Sequence, residues 1–372
     1  MNGSAMKSVE QALQRAWLAR GSMAWALLPL AALYGAVVAL RRALYRWGWC
    51  RAQTLPVPVI VVGNLIVGGA GKTPTVMAIV RLLRRHGQVP GIISRGHGRR
   101  SQRRRDKTCL EVSADTPASD CGDEPKLLRL RSGAPVVVGR DRVAAGRLLL
   151  ARHPEVNVIV ADDGLQHLGL ARTAQVLVFD ERGVGNGWLL PAGPLREPFA
   201  RSVPMRSVVL YNAPAATTDW PGSVAQGALA GIVPLAAWWQ GQAAAMPALV
   251  ALRGRPLLAA AGVARPRRFF GMLREAGLSI TPMPLPDHHD YKTLPWPPTT
   301  ADVVLTEKDA VKIDLQRIGS TRVWVATLDF APPPAFDAAL LALLPGLAEP
   351  VQELPDPPLQ NPPGKSHGNA PA

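Results

Sequence analysis

One stretch of the sequence, residues 57–76, combines residue types that bind phosphate groups. It contains three glycines followed by a lysine and a threonine: Gly68, Gly69, Gly71, Lys72 and Thr73. Glycines let the backbone curl so that several N–H groups point at one anion. The lysine can then reach the outer phosphates of a nucleotide, and the threonine hydroxyl can hold Mg²⁺. Ile66 stands where the usual pattern has glycine or alanine, so the alternative is a glycine-rich turn of another α/β protein.

The segments on both sides of this stretch are those that a phosphate-binding loop requires. Residues 57–62 form an apolar, β-branched run that is typical of a buried strand. Residues 73–86 have the apolar periodicity of a helix, and Pro74 suits its first turn, where the missing N–H costs nothing. The start of a helix adds free N–H donors and a partial positive charge. The sequence therefore predicts a strand, a phosphate-binding loop and a helix in that order.

Two adjacent carboxylates, Asp162 and Asp163, directly follow a second apolar run at residues 156–161. This run predicts another buried strand, and ligands bind at the carboxyl ends of the strands in open α/β sheets. Adjacent carboxylates repel each other unless a cation or a proton lies between them. A plain Asp-Gly turn is the alternative, but such a turn does not need both carboxylates. We therefore expect the pair to help organise a metal ion.

Two other segments place polar side chains beside predicted elements. Asp123 precedes a predicted helix at residues 126–131, where ordinary helix capping would also explain it. A loop dense in proline and glycine, residues 183–198, predicts a stiff irregular backbone. It would hold Arg196 and Glu197 near the same edge of the sheet.

Composition limits the classes of partner and of compartment. The chain has 372 residues, 48% of them hydrophobic, and is long enough for two domains. Its formal net charge of +15, from 42 basic and 27 acidic residues, predicts anionic partners: nucleic acid, a membrane surface or a phosphorylated substrate. Only 5% of the residues are aromatic, and no basic strand carries the aromatic residues of an RNA-binding sheet. The three cysteines lack metal-ligand spacing, which indicates reduced thiols and no zinc site.

The N-terminal region contains an uncharged apolar segment at residues 23–40. As a helix it would be about 27 Å long, just short of a hydrocarbon core about 30 Å thick, and Pro29 would kink it. Arginines interleaved with Tyr45, Trp47 and Trp49 follow, and this combination suits a membrane boundary. The segment could span a membrane, lie in the membrane interface or form a buried core helix. We expect membrane attachment, with the choice between spanning and lying in the interface left open.

The order of these segments predicts an α/β fold: a parallel sheet flanked by helices, like that of P-loop NTPases, with a second, smaller α/β domain. We expect a membrane-associated helical segment at residues 1–52 and a phosphate-loop core domain at residues 53–205. A second pattern of alternating strands and helices begins at residue 206 and continues to residue 345. Residues 346–372 are proline-rich and polar without apolar periodicity, which predicts a disordered tail.

Nine short motifs occur along the chain in this order: GNLIVGGAGKTP, SRGHGR, GDEP, VVVGRDR, ADDGLQH, GNGWLLPAGPLREP, AGVARPRRFF, DHHDY and LTEKDAVK. Each motif alone has little specificity. Together with the N-terminal apolar segment, the set resembles the tetraacyldisaccharide 4′-kinases, the lipid A 4′-kinases of Gram-negative bacteria. The resemblance covers residues 20–345.

The resemblance implies a function and a location. Such a kinase transfers the γ-phosphate of ATP, with Mg²⁺, to the 4′-hydroxyl of a tetraacylated glucosamine disaccharide 1-phosphate. It works at the cytoplasmic face of the bacterial inner membrane, with a second domain that can close over the site. The expected partners are then this acylated lipid and the anionic membrane surface, without nucleic acid, and the expected state is a monomer. Arg41, Arg42, Arg46 and the basic loop at residues 99–107 become candidates for headgroup contact.

The resemblance also implies roles for the residues at matching positions. Asp123 matches the catalytic base and His288 its partner, while Asp162 and Asp163 match acidic residues near metal and substrate. The expected nucleotide-binding residues are the loop and one arginine: Ile66, Val67, Gly68, Gly69, Ala70, Gly71, Lys72, Thr73 and Arg196. The expected magnesium-binding residues carry hydroxyl, carboxylate and amide groups: Thr73, Asp162, Gln166 and Glu197.

Two positions depart from the family pattern. Ile66 replaces the usual threonine or serine, and its alkyl group would weaken a polar contact to the nucleotide without removing the backbone cradle. His97 replaces the usual tyrosine, which puts any role of that ring in doubt. His289 is the neighbour most easily confused with His288.

Two alternative functions follow from the same residues. A membrane-anchored P-loop kinase or NTPase could act on another substrate, and transfer of labelled γ-phosphate to a glycolipid would separate the two readings. A nucleic-acid-binding protein would account for the positive charge and would bind DNA or RNA with steep salt dependence. It would leave the acidic pair and the Gly-Lys-Thr sequence unexplained.

Overall fold

The structure is a computed structural model that describes residues 17–96, 99, 108–344 and 346. Several sequence-based predictions therefore fall outside the described residues. They concern the substitution at His97, the first 16 residues, nearly all of the basic loop at residues 99–107 and nearly all of the tail at residues 346–372. Within the described residues, the strands form two sheets.

The N-terminal apolar segment forms two helices, α1 (Ser22–Ala26) and α2 (Leu28–Arg46). The helical segment is interrupted at Leu27, and Pro29 lies in the first turn of α2. A proline in the first turn sacrifices no intrahelical hydrogen bond. By length and composition, α2 is the one helix among the described residues that could cross a membrane, and only 11% of its apolar window is buried.

The first sheet has eight strands: β1 (Val59–Gly63), β2 (Pro90–Ser94), β3 (Leu110–Val112), β4 (Val136–Val138), β5 (Val158–Asp162), β6 (Ala174–Asp180), β7 (Ser207–Asn212) and β8 (Ser223–Val224). They lie in the order β3-β4-β2-β5-β1-β6-β7-β8, and all pairs are parallel except β3 with β4. The central strand β1 is buried at every position, as expected of an apolar, β-branched strand covered on both faces. Because the strands run in one direction, polar residues that end β2, β5 and β7 share one edge: Ser94, Asp162 and Asn212.

Helices cover both faces of the first sheet: α3 (Lys72–Arg85), α4 (Ala118–Cys121), α5 (Asp123–Ser132) and α6 (Arg142–Arg152). On one face, α3 and α5 contribute Ile79 and Leu128 to an apolar cluster with the sheet. On the other face, α6 contributes Leu149 to a second cluster that includes Tyr211 of β7. The phosphate-binding stretch thus connects a buried central strand to a helix packed on the sheet, as predicted.

The second sheet has five strands: β9 (Ala228–Pro234), β10 (Leu257–Ala261), β11 (Ile280–Pro284), β12 (Asp302–Thr306) and β13 (Arg322–Asp329). Its helices are α7 (Leu235–Trp239), α8 (Met246–Val250), α9 (Pro266–Glu275) and α10 (Glu307–Ala310), followed by a 3₁₀ helix at Leu315–Arg317. The strand order is β11-β10-β12-β13-β9, and only β9 is antiparallel to its neighbour. Side chains that follow β11 and β12 contact α5 of the first sheet.

The two sheets do not divide at residue 206, where the sequence pattern placed the domain boundary. Strand β7 pairs with β6, and β8 pairs with β7, so both extend the first sheet. The last helix, α11 (Pro334–Leu341), also returns to the first sheet and contributes Phe336 and Leu340 to its core. An apolar run specifies a strand but not its neighbours, so the pattern alone could not show that β7 and β8 belong to the first sheet.

Candidate active site

The glycine-rich loop after β1 forms an open cradle of backbone N–H groups. Gly68 and Gly71 have φ angles of 99° and 87°, a left-handed conformation that favours glycine. The N–H groups of residues 68–71 donate no hydrogen bond to any described residue. A Cβ atom on Gly71 would lie 2.0 Å from Asn212 Nδ2, so a side chain does not fit there. Unused N–H groups at the start of a helix form a site suited to phosphate.

Lys72 lies at the start of α3 and is held by two oxygen atoms. Its Nζ is 3.1 Å from Asn64 Oδ1 and 3.5 Å from Asp163 Oδ1. Asn64 Nδ2 also donates to the carbonyl oxygens of Ile66 and Gly68, at 2.8 and 3.1 Å. Asn64 therefore ties the lysine to the loop, a role that the sequence reasoning missed although this asparagine directly follows β1.

Ile66 belongs to the core beneath the loop. Its side chain is fully buried in an apolar cluster with Leu165 and Leu195. The next residue, Val67, donates its N–H to the Pro194 carbonyl at 2.9 Å. A buried apolar position accommodates isoleucine, and its backbone still takes part in the loop through the bond from Asn64.

The adjacent carboxylates at the end of β5 have opposite electrostatic environments. Asp162 is almost fully buried, and burial raises its pKa to about 7, with the Glu124 and Asp163 carboxylates adding to the shift. For Asp163, burial also disfavours the ionised form, but Lys72 and Arg196 outweigh it and lower the pKa to about 2. Asp163 has a φ of 49°, an uncommon conformation for a residue with a side chain. Asp162 can thus accept a further cation, whereas Asp163 is already paired with Lys72 and Arg196.

The residues at this edge fit a magnesium ion. Ser94 Oγ donates to Asp162 Oδ2 at 3.0 Å, whereas the buried Asp162 Oδ1 has no hydrogen-bond partner among the described residues. The Thr73 hydroxyl belongs to the first turn of α3, also buried, and both are the hard oxygen donors that Mg²⁺ prefers. No group of three or more His, Cys, Asp or Glu side chains in the described part could hold a metal. Such a site would depend on water and phosphate oxygens, which is usual for Mg²⁺.

Gln166, Arg196 and Glu197 form one connected polar group. Arg196 Nη1 donates to Asp163 Oδ1 at 3.0 Å and to Gln166 Oε1 at 3.3 Å. Gln166 Nε2 donates to Glu197 Oε1 at 3.0 Å, and the other Glu197 oxygen is 3.1 Å from Arg42 Nη2. The structure therefore brings the three predicted residues together beside Asp163. Their predicted roles toward nucleotide and metal stay predictions.

Asp123 and His288 meet across the cleft between the two sheets. His288 Nδ1 is 2.8 Å from Asp123 Oδ2, and Lys312 Nζ lies 3.7 Å from the same oxygen. Burial opposes ionisation of Asp123, but the hydrogen bond from His288 and the nearby Lys308 and Lys312 cations lower its pKa to about 2. The hydrogen bond to Asp123 raises the pKa of His288, against the effect of burial. His289 instead packs edge-on against Tyr291, with ring centroids 4.7 Å apart.

The second sheet also contributes lysines that the sequence reasoning did not assign. Lys308 of α10 forms an ion pair with Glu124 of α5, the residue after Asp123. Lys312 contacts Asp309 Oδ1 at 3.3 Å in addition to Asp123. The GDEP and LTEKDAVK motifs contain these residues, but nothing in the sequence shows that the motifs face each other.

A cavity of 220 Å³ separates the phosphate-binding loop from the second sheet. Gly69, Gly71 and Thr73 line one side, and apolar side chains such as Phe269 and Met272 line the other. Arg268 of α9 reaches Asn212 Oδ1 at 3.2 Å, and Asn212 Nδ2 in turn donates to the Ala70 carbonyl at 3.4 Å. A largely apolar cavity beside a phosphate cradle can take the flat base of a nucleotide.

Three features define a phosphate-loop nucleotide-binding enzyme: the parallel sheet, the glycine-rich loop before a helix with its lysine, and the carboxylates at the end of β5. Comparison with known proteins specifies the family. A sequence model described as tetraacyldisaccharide-1-P 4′-kinase matches residues 23–345. The chain therefore belongs to the tetraacyldisaccharide 4′-kinase family, which confirms the resemblance seen in the motifs.

Individual relatives agree with this assignment. The chain is 57% identical over 340 residues to the tetraacyldisaccharide 4′-kinase of Methylibium petroleiphilum, covering 89% of this chain and 93% of the relative. It is 55% identical over 349 residues to that of Leptothrix cholodnii, covering 93% and 99%. The crystal structure of LpxK from Aquifex aeolicus in complex with ATP has a TM-score of 0.69 and 27% sequence identity, covering 87% of this chain and 99% of that chain.

Proposed function

We propose that the chain transfers the γ-phosphate of ATP to the 4′-hydroxyl of a tetraacyldisaccharide 1-phosphate, as a step of lipid A biosynthesis. The names of the relatives support the acceptor, and the ATP complex of LpxK supports the donor. The observation that carries the proposal is the Asp123–His288 contact of 2.8 Å, next to Glu124, which Lys72 of the phosphate-binding loop also influences electrostatically. Such a pair beside a phosphate cradle suits transfer to a hydroxyl group.

The loop after β1 would hold the phosphates of ATP. Its unused N–H groups and Lys72 would bind the outer phosphates, and the cavity beside Phe269 would take the base. Thr73 and Asp162 would hold Mg²⁺, which would supply positive charge that stabilises the phosphate groups during transfer. Phosphoryl transfer depends mainly on such positioning and charge stabilisation. Arg196 and Asp163 would keep Lys72 oriented toward the outer phosphates.

Asp123 would receive the proton of the attacking 4′-hydroxyl. Its lowered pKa keeps it ionised at neutral pH, so that it can accept a hydrogen bond from the hydroxyl and then its proton. His288 fixes the orientation of this carboxylate through Nδ1. Because the transition state of phosphoryl transfer is loose, the proton moves late, and a strongly basic carboxylate is not needed.

The second sheet would complete the site by closing over the first. It supplies His288, Lys308 and Lys312 to a cluster whose acidic members, Asp123 and Glu124, belong to α5. Closure around bound substrates would exclude water and prevent hydrolysis of ATP. We accordingly treat the second sheet and its helices as the mobile domain, and the first sheet as the core domain.

The helix α2 would attach the enzyme, as a monomer, to the cytoplasmic face of the inner membrane. An exposed apolar stripe runs along it: Leu30, Leu33, Val37 and Leu40. Its inner side contacts the core domain through Tyr34 with Arg196 and, two turns further along, through Arg42 with Glu197. A helix that contacts the folded domain at these two points would lie in the membrane interface rather than cross the bilayer. Arginines beside the stripe would contact anionic headgroups.

A transfer assay with the purified full chain tests this proposal. Labelled γ-phosphate should appear on the monophosphorylated lipid disaccharide in mixed micelles, with the new phosphate at the 4′ position. Lys72→Ala should lose this transfer by about 100-fold or more, because one preorganised cation at the phosphates is removed. Label released only as inorganic phosphate, or attached to another class of acceptor, would contradict the proposed substrate.

A further inference from the structure

The membrane-facing helix α2 touches the two residues that border the phosphate site, Arg196 and Glu197. Tyr34 donates its hydroxyl hydrogen to the Arg196 carbonyl oxygen at 2.8 Å. Arg42, two helical turns further along α2, pairs with Glu197 at 3.1 Å. Gly35 allows the close approach, since a Cβ atom there would lie 2.9 Å from Leu189 Cδ1. The helix thus contacts both the backbone of Arg196 and the carboxylate of Glu197.

From Glu197 an unbroken series of polar contacts leads to the lysine of the phosphate-binding loop. Glu197 accepts from Gln166 at 3.0 Å, and Gln166 accepts from Arg196 at 3.3 Å. Arg196 in turn binds Asp163 at 3.0 Å, and Asp163 lies 3.5 Å from Lys72. The three side chains inside the series, Gln166, Arg196 and Asp163, each contact two other members, so displacement of one changes the partners available to the next.

We propose that Tyr34 and Arg42 are positioning residues, through which the seating of α2 on the core domain sets the geometry of Arg196, Asp163 and Lys72. This inference rests on the proposed function, and it makes the membrane-attached helix a working part of the active site rather than an anchor alone. Headgroup contact by Arg42 was the sequence-based expectation, but the structure directs its guanidinium to Glu197.

The physical reason lies in the burial of Glu197. Its side chain is 11% exposed, whereas that of Arg42 is 48% exposed, so Arg42 neutralises a carboxylate that has little access to water. Without Arg42, Glu197 would keep one amide donor, from Gln166, and would draw on the neighbouring cations Arg196 and Arg172. Arg196 would then leave Asp163, and Lys72 would lose the carboxylate that orients it. The orientation of Lys72, at one end of the series, thus depends on the pairing of Glu197 with Arg42 at the other end.

The test compares Arg42→Gln and Tyr34→Phe in the full chain with Arg46→Gln. Arg46 is exposed at the end of α2, forms no ion pair with a described residue, and its substitution removes the same charge from the same helix. We expect Arg42→Gln to lower kcat for lipid phosphorylation about 10-fold and to weaken ATP binding, measured by calorimetry without lipid, by a similar factor. Tyr34→Phe should change both in the same direction. Arg42→Lys should restore most of the loss, and Arg46→Gln should bind ATP in the absence of lipid as tightly as the wild type.

Two further readouts separate positioning from stability and from membrane binding. The melting temperature, and sedimentation with vesicles of phosphatidylethanolamine and phosphatidylglycerol, should be equal in Arg42→Gln and Arg46→Gln. Wild-type values of kcat and ATP affinity in both Arg42→Gln and Tyr34→Phe would overturn the inference, as would a loss explained fully by weaker vesicle binding. If the wild-type protein transfers no phosphate to lipid, only the proposed function is overturned. The effect of Tyr34 and Arg42 on the phosphate-binding loop can still be measured through the affinity for ATP.

Discussion

His288 Nδ1 lies 2.8 Å from Asp123 Oδ2, although 165 positions separate the two residues in the chain. Asp123 begins α5 of the first sheet, and His288 follows β11 of the second. His288 has a φ of 57°, so its backbone adopts an uncommon conformation at this contact. The relative placement of the two sheets therefore determines whether the pair exists.

Replacement of Asp123 should affect turnover far more than substrate binding. Asp123→Asn keeps the shape of the side chain but cannot accept the hydroxyl proton, so kcat should fall by about 100-fold to 10,000-fold while KM changes little. Asp290→Asn is the control, because Asp290 is exposed and pairs only with the exposed Lys292 among the described residues. Near-normal turnover of Asp123→Asn would rule out its role as base.

The His288–Asp123 pair should stabilise the protein most at acidic to neutral pH. The pKa of His288 is raised above 6.5 by the hydrogen bond to Asp123, so its contribution is fully present below 6.5 and is lost as pH rises through the higher folded-state pKa. The contribution of Asp123, with a pKa lowered from 3.8 to about 2, is present above 3.8 and is lost as pH falls through about 2. The melting temperature of the wild type minus that of His288→Gln should therefore shrink as pH increases. A difference that stays constant or grows would contradict the raised pKa.

Alanine at Gly71 should damage the loop, whereas alanine at Gly69 should be tolerated. Gly71 has a φ of 87°, and a Cβ atom there would lie 2.0 Å from Asn212 Nδ2. The left-handed backbone alone costs about 1 to 2 kcal/mol with a side chain, before the steric conflict is counted. At Gly69 the nearest atom to a new Cβ is Ala264 Cβ at 3.9 Å, an ordinary contact. Thermal unfolding should show a clear loss for Gly71→Ala only, and equal losses for both variants would argue against the loop geometry.

Lys308 should contribute to phosphoryl transfer from the second sheet. It pairs with Glu124 and lines the cavity together with Gly69, Gly71 and Thr73, so its charge can stabilise phosphate oxygens there. Lys308→Met should lower kcat about 100-fold, the usual cost of removing one preorganised donor. Lys292→Met is the matched control, because Lys292 follows β11 of the same sheet, its side chain is 74% exposed, and it does not line the cavity. Equal kcat in the two variants would limit Lys308 to a structural role.

The apolar stripe on α2 should control membrane attachment. Leu30, Leu33 and Val37 are 56%, 66% and 58% exposed, and burial of such a side chain in lipid contributes roughly 1.5 to 3 kcal/mol. Replacement of all three by serine should reduce sedimentation with anionic vesicles while leaving the melting temperature nearly unchanged. Met205→Ser is the control, since Met205 is 90% exposed but lies between β6 and β7. Undiminished sedimentation of the triple variant would place the membrane contact elsewhere.

Local patterns were sufficient for the elements that carry the phosphate site. The apolar run before Gly68 forms β1, and the periodic segment after Gly71 forms α3. The carboxylates that follow the apolar run at residues 156–161 lie at the end of β5. These predictions succeeded because strand and helix periodicity, and the conformational freedom of glycine, depend on residues close together in the chain. Pro29 shows the limit even locally, because the same residue can kink a helix or begin one.

Contacts between distant segments could not be read from the same patterns. The apolar run of β7 does not indicate that its neighbour is β6. The GDEP and LTEKDAVK motifs likewise do not indicate that Glu124 contacts Lys308. The pKa of Asp162, raised to about 7, depends on burial and on neighbours from other elements. The pairing of Arg42 with Glu197 likewise required α2 to lie along the loop.

The sequence by itself determined the class of fold, the phosphate-binding loop and, through its ordered motifs, the family. Only the tertiary structure decided which strands belong to which sheet, that Asp123 meets His288, and that α2 contacts the site through Tyr34 and Arg42. The physical reason is that backbone conformation follows from neighbouring residues, whereas charge pairing and burial depend on how remote segments pack together.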